Sequence, residues 1–242
     1  MNPVDLLNRS IMVAAVLLAG IATSVMAEDS CMECHKSETY RIENKKLYEY
    51  FQRYQGSVHG LLGVGCADCH GGDPQSTDLS AAHEGVMEKV SYRNIPDTCG
   101  SCHETQWESF RDSKHNQVLK NEGGAPNCVT CHGSMDVDVY FTSIVKNTCV
   151  LCHNEETGNG PDIPAQAEHI LSQINVIKGY RGLVQKYSED PKVMAKIENS
   201  YERVTHYWHG FDLHKVEVET EYLLRMLREE KVKALEKKRQ HD

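Results

Sequence analysis

Every cysteine in this chain belongs to one five-residue pattern, Cys-x-x-Cys-His, and the pattern occurs five times. The copies are Cys31-Met32-Glu33-Cys34-His35, Cys66-Ala67-Asp68-Cys69-His70, Cys99-Gly100-Ser101-Cys102-His103, Cys128-Val129-Thr130-Cys131-His132 and Cys149-Val150-Leu151-Cys152-His153. Two thiols three positions apart lie on one side of a helical turn. They can each attack one of the two vinyl groups of a porphyrin, and the adjacent imidazole can then bind the iron. The pattern is the attachment signature of c-type haem. The chain is therefore read as carrying five covalently bound haem c groups, with the ten cysteines as thioether donors and His35, His70, His103, His132 and His153 as iron ligands. Zinc sites and a disulfide framework also use paired cysteines. Neither explains a histidine after the second cysteine in all five copies.

Covalent attachment holds a porphyrin without a deep apolar pocket, and the composition fits that economy. Hydrophobic residues are 40% of the 242, and there are only 4 Phe. Stacked haems are expected to form the core of the first two thirds. The formal charge is −9, from 35 acidic and 26 basic residues, and haem propionates would add to it. Nucleic acid is excluded as a partner, because phosphate contacts need a basic face. Other redox proteins, including ones that dock through a basic patch, suit this surface.

The N-terminus reads as an export signal over 1–27. Arg9 precedes an apolar run from Ile11 to Val25, and Val25-Met26-Ala27 offers small residues for cleavage before Glu28. The alternative is an uncleaved anchor, although the run is shorter than the ~20 residues of a spanning helix. Either form is exported, to the periplasm or the extracellular space, with membrane contact only through this segment. A five-haem region is expected over 28–160 and a C-terminal helical region over 161–242.

The fold class expected is mainly α, with little regular β, a haem-stacked core and a C-terminal helical segment. Helices are predicted over 45–55 and 104–121. Tyr140–Val145 is the best strand candidate. Pro164 opens a helix to about Lys178, Pro191 opens another to about Trp208 with Ser188 in a capping position, and a third runs from about Asp212 to the tail. In the last, Tyr222, Leu223, Met226, Leu227, Val232 and Leu235 form a partial apolar stripe, read as packing on neighbouring helices. The motifs show no fixed period, but they show a looser duplication. Ser57-Val58-His59 precedes the second motif and its Gly71, and Asp97-Thr98 leads into the third. Ser113-Lys114-His115 precedes the fourth motif and its Gly133, and Asn147-Thr148 leads into the fifth.

Of 13 histidines, five lie in motifs. Haem iron takes a second axial ligand, commonly His or Met, so the surplus allows bis-His ligation throughout. The distal candidates are His59, His83, His115, His169 and His209, with His206 the next choice in its segment. His214 is assigned to the surroundings of a site or to the surface, and His241 to the tail. Met87 and Met135 are read as packing residues.

Ser57-Val58-His59, the run Gly65–Gly72, the run Trp107–His115 and Trp208-His209-Gly210 resemble the multihaem cytochrome c superfamily. That superfamily includes hydroxylamine oxidoreductase, the nitrifiers' tetrahaem electron-transfer cytochrome and cytochrome c nitrite reductase. The resemblance implies haem-pair packing on a mostly helical frame. It also implies helices beyond the last motif that return distal ligands, a role His169 and His209 would match. The chain departs from these relatives in having five motifs rather than eight, and no motif in which Lys replaces His. No catalytic constellation carries over.

The function expected is electron transfer between a quinol- or substrate-oxidising complex and a terminal redox partner, alone, as a homo-oligomer or within a cytochrome complex. One alternative is an oxidoreductase acting on nitrite, hydroxylamine or a sulfur oxyanion at a five-coordinate haem, with Tyr140 or His206 as proton donors. Another is a membrane-anchored, quinol-oxidising subunit.

Overall fold

A computed structural model describes residues 29–138, 142–188 and 190–241. The segment read as an export signal and Tyr140 lie outside them. Among the described residues every regular element is a helix, and no helix is long and apolar enough to cross a membrane.

The motif-bearing part is a string of short helices: α1 (Ser30–His35), α2 (Glu38–Glu43), α3 (Lys45–Gly56), α4 (Val58–Leu61), α5 (Cys66–His70), α6 (Leu79–Ala82), α7 (Val86–Lys89), α8 (Ile95–Gly100), α9 (Glu104–Arg111), α10 (Lys114–Asn121), α11 (Cys128–His132) and α12 (Thr142–Val150). Three long helices follow: α13 (Ile163–Tyr187), α14 (Pro191–His209) and α15 (Leu213–His241).

The long helices pack on one another around a single apolar cluster. Ile170, Ile174, Ile177 and Val184 come from α13, Ile197 and Val204 from α14, and Val216, Leu223, Leu224, Leu227 and Ala234 from α15. Spacings of three, four and seven keep each set on one helical face. Ion pairs join the helices at the surface. The Arg181 guanidinium donates from Nε to Glu198 at 2.9 and 3.0 Å, and Arg203 reaches Glu219 at 2.7 Å. Half-exposed pairs of this kind contribute roughly 0–1 kcal/mol each, so burial of the cluster dominates.

Several sequence expectations need correction. The predicted 104–121 helix is two helices, because Ser113 takes an extended conformation and starts a second one. Residues 142–145 of the strand candidate are helical, part of α12. The helix opened by Pro164 continues to Tyr187, past Gly179 and Gly182, because Ile177 and Val184 bury completely. The cap of α14 is Asp190, whose Oδ1 accepts from the Lys192 and Val193 amides at 2.9 and 3.4 Å, rather than Ser188. On α15 the buried face is rotated from the predicted stripe. Val216, Thr220, Leu224 and Ala234 join Leu223 and Leu227, whereas Tyr222 and Val232 face solvent.

The first two thirds hold very little core of their own. Among the described residues, the buried apolar side chains there are Phe51, Pro96, Phe110, Leu119, Ala125 and Val145. Leu61, Leu62, Leu79 and Leu151 are 75–76% exposed, and Met87, read from the sequence as packing, is 81% exposed.

Replacing Leu227, fully buried in the three-helix cluster, with Ala is expected to cost about 2–5 kcal/mol. Tyr222→Ala on the solvent face is expected to stay within ~0.5 kcal/mol. Denaturant titration followed by far-ultraviolet circular dichroism measures both.

Candidate functional site

The five motifs take two local forms. The second and fourth each make a five-residue helix, α5 and α11, that ends at a glycine with φ of 78°: Gly71 and Gly133. Their ψ values of −154° and 165° lie in a region only glycine occupies at low cost. In both, the residue before the second cysteine folds back on the helix start. Asp68 Oδ2 accepts from the Gly65 amide at 2.7 Å, and Thr130 Oγ1 accepts from the Asn127 amide at 3.0 Å. The third and fifth motifs instead begin near the end of a longer helix, α8 or α12, and their second cysteine and histidine follow it. The first motif fills α1, capped by Asp29, which accepts from the Cys31 amide at 2.9 Å.

The two Ser-x-His segments also share one geometry. Ser57 and Ser113 are buried, extended residues that start α4 and α10. Their hydroxyls accept from the Gly60 and Asn116 amides at 3.1 Å, and they donate to the Tyr54 and Phe110 carbonyls at 2.7 and 2.6 Å. Each cap sets its histidine in the first helical turn.

Four motif imidazoles face a second imidazole across a narrow gap. His35 and His83 have ring centres 6.3 Å apart, His59 and His103 5.9 Å, His115 and His153 6.0 Å, and His132 and His209 6.3 Å with an interplanar angle of 9°. An imidazole nitrogen binds a metal at about 2 Å, so two rings on opposite sides of one iron have centres roughly 6 Å apart. The ring spacing therefore fits a haem iron between each pair. The apolar side chains turned outward in this part of the chain fit a large, flat, apolar group as well.

Ring orientation is fixed from behind. The Nδ1 atoms of His83, His209, His132 and His153 hydrogen-bond the Leu79, Thr205, Asp138 and Asn159 carbonyls at 2.8, 2.7, 3.3 and 2.6 Å. With Nδ1 donating, Nε2 keeps its lone pair for a metal. Burial also holds the His35, His115, His132 and His209 rings below the ordinary imidazole range, favouring the neutral form that ligates. One ring nitrogen of His115, Nδ1, is buried with no hydrogen-bond partner. Its ring abuts Phe211 edge-on at 4.1 Å. Phe211 has a φ of 57°, a left-handed conformation that costs a non-glycine residue ~1–3 kcal/mol. The strain is spent on a turn that lays this ring against both His115 and Phe110.

The other candidates are placed differently. His169 is exposed, with Nε2 3.1 Å from Gln173 Nε2. His206 bonds Ser109 Oγ through Nδ1 at 2.5 Å, tying α14 to α9. His214 is exposed, and the side chain of His241 is not described. Among the described residues, His70 has no ring opposite it at the spacing of the other four. The supporting roles of Ser57, Ser113 and Phe211 escaped the sequence reading. The repeated Ser-x-His context was the signal for the two serines, and nothing in the sequence marked Phe211.

Successive motifs are neighbours in space. The Cys66 thiolate would act on Cys31, and His70 acts on His35. Cys69 feels Cys99 and Cys102, Cys99 hydrogen-bonds Cys128, His132 feels His103, and Cys131 feels Cys149. Burial pushes the Cys31 thiol up to about 12, and Cys66 and Cys131 to about 11. In the Cys99–Cys128 contact, Cys128 holds the proton and rises, while Cys99 falls.

The profile of the cytochrome c552 family matches residues 45–123, the stretch that holds the second and third motifs with His59, His83 and His115. The chain is 26% identical over 164 residues to the C-type polyheme cytochrome OmcB of Geobacter sulfurreducens, which is 64% of this chain and 20% of the relative. It is 27% identical over 143 residues to the C-type polyheme cytochrome OmcC of the same species, which is 57% of this chain and 15% of the relative. These matches support a multihaem c-type cytochrome. The chain spans about a fifth or less of the length of these relatives. No solved structure matches it significantly.

Removing a buried cap tests how this chain seats its Ser-x-His rings. Ser113→Ala leaves the Asn116 amide without its partner and is expected to cost about 0.5–2 kcal/mol. A lower thermal midpoint of the haem-loaded protein, against wild type, is the readout.

Proposed function

We propose that this chain is an exported electron-transfer cytochrome with five haem c groups, carrying electrons between a quinol- or substrate-oxidising complex and a terminal redox partner. Haem iron supplies reversible one-electron chemistry when bound. The observation that carries the reading is the spatial order of the motifs: each lies beside the next along the chain, from Cys31 to His153. An arrangement that strings redox groups in sequence suits conduction from one end of the region to the other.

In this reading His35, His70, His103, His132 and His153 are proximal ligands. His83, His59, His209 and His115 are the distal partners of His35, His103, His132 and His153. Rings pinned through Nδ1 and capped helices hold these ligands still, which keeps reorganisation small when charge moves. Two strong imidazole ligands also leave no position for substrate, so four of the five sites serve transfer rather than catalysis. The surface charge of −9 favours partners with a basic face. The N-terminal segment before Glu28 would direct export, and retention of it would tie the molecule to a membrane surface. The polyhaem relatives support the electron-transfer class.

Mass analysis of protein from a host that matures c-type cytochromes is expected to find five haem adducts. A spectroelectrochemical titration is expected to take up five electrons reversibly. Fewer adducts, or centres that do not cycle, would remove the reading. His209→Ala should convert one low-spin ferric signal to high-spin in electron paramagnetic resonance without changing the adduct count.

A further inference from the structure

Charge is unevenly placed along this chain. Residues 181–198 and 225–239 together hold eleven Lys or Arg against six Asp or Glu, a charge of +5 within a chain of −9. Residues 28–160, which carry the motifs, hold twenty Asp or Glu against eleven Lys or Arg. The two basic stretches lie on different helices, and the bundle brings them together. Lys231 Nζ stands 4.1 Å from the centre of the Tyr180 ring, Arg181 pairs with Glu198, and Asp190 acts electrostatically on Lys233. The C-terminal part of α13, the N-terminal part of α14 and the second half of α15 therefore form one basic end.

That end is open to solvent. Lys186, Lys192, Lys196, Arg225, Arg228 and Arg239 are exposed. Two carboxylates of the same end, Glu198 and Glu230, are already taken by Arg181 and Lys233. On α15, Arg225, Arg228, Val232, Leu235 and Arg239 follow one another at spacings of three and four, so they share one face. Val232 is 58% exposed on it. An apolar side chain standing clear of the core between arginines suits a lipid surface. The apolar group enters the headgroup layer, and the long basic side chains reach its phosphates.

Position narrows the kind of anionic partner. The bundle presents His209 to the motifs at the opposite end of α14 from Lys192, about 25 Å away along the helix. An electron carrier docked on the basic end would stand that far from the ring the bundle supplies. An anionic plane needs no such approach. It attracts exposed cations spread over three helices and repels the acidic motif-bearing region, so both effects turn the molecule the same way round.

We infer that this basic end is a peripheral membrane-docking surface that recognises anionic phospholipid headgroups and holds the motif-bearing region away from the bilayer. The sequence reading confined membrane contact to the N-terminal segment, and this surface is separate from it. None of the described helices is long and apolar enough to cross a membrane. The contact is one of surface, electrostatic and reversible.

Vesicle sedimentation of the haem-loaded protein tests it, with vesicles of pure phosphatidylcholine and vesicles of equal parts phosphatidylcholine and phosphatidylglycerol. Binding to the anionic vesicles alone is expected at low salt, and its loss at about 1 M salt, where screening acts within ~3 Å. An uncleaved N-terminal anchor would hold to both sets, so the difference between them reads the basic end. The triple variant Arg225→Gln, Arg228→Gln, Arg239→Gln is expected to weaken partition onto the anionic vesicles roughly a hundredfold. Glu155→Gln with Glu156→Gln, beside the fifth motif, is expected not to weaken it. All five positions are exposed, and unchanged circular dichroism shows that the variants fold. Equal uptake by both vesicle sets, or a triple variant that binds as wild type does, would overturn the inference. So would absence of vesicle binding with salt-sensitive self-association in sedimentation velocity, which gives the basic end to the acidic region of a second copy. None of these outcomes depends on the haem count, so failure here leaves the electron-transfer reading standing.

Discussion

An imidazole presents one nitrogen to a metal best when its other nitrogen is already fixed, and much of the motif-bearing region follows that constraint. Four facing ring pairs sit 5.9–6.3 Å apart, and backbone carbonyls anchor Nδ1 in three of them. The surrounding helices are short and bury few apolar side chains. On their own they would offset little of the entropy of ordering the chain. Rings facing across a metal, together with thioether attachment, would supply cross-links between segments that protein packing alone would leave loose. The three-helix bundle is built in the opposite way. It has a continuous apolar cluster, and it contributes to the haem region chiefly by presenting His209 and by seating Phe211 on His115.

That division explains which features the sequence made legible. The motifs and the repetition of the Ser-x-His segments were readable because both are local patterns that survive without knowledge of the fold, although the caps that the two serines form were not read from them. His83 and His209 face motif rings as spare histidines in haem-rich or aromatic surroundings. His169, chosen by the same logic, is exposed as His83 is, but no motif ring faces it among the described residues, because a position on a returning helix does not say which face the residue takes. The strand candidate near Val145 failed for a related reason. β-branched residues in a short apolar run read as extended, but here they lead into the helical start of the fifth motif. Likewise, the rotation of the α15 stripe depended on where α13 and α14 lie, and that is tertiary information.

The duplication has its own logic. Within each unit a capped histidine reaches the later motif through a short stretch of chain, so both partners order together. The earlier motif of a unit has no such internal partner. A ring opposite it must come by a long-range contact, as His209 does for His132, and long-range contacts can be present in one copy and missing in another without disturbing the rest. The two units thus share a scaffold and differ, among the described residues, in this one contact.

The thiols carry a consequence for how the molecule is made. A sulfur attacks a vinyl group as thiolate. In the folded arrangement, burial holds Cys31 at about 12 and Cys66 and Cys131 at about 11, so at neutral pH these sulfurs stay protonated and sluggish. Cys128, sharing a proton with Cys99, is more inert still. Attachment is then best served before collapse, on an extended chain whose thiols keep their solution acidity. The compact form comes afterwards and seals the bonds it could not readily have made.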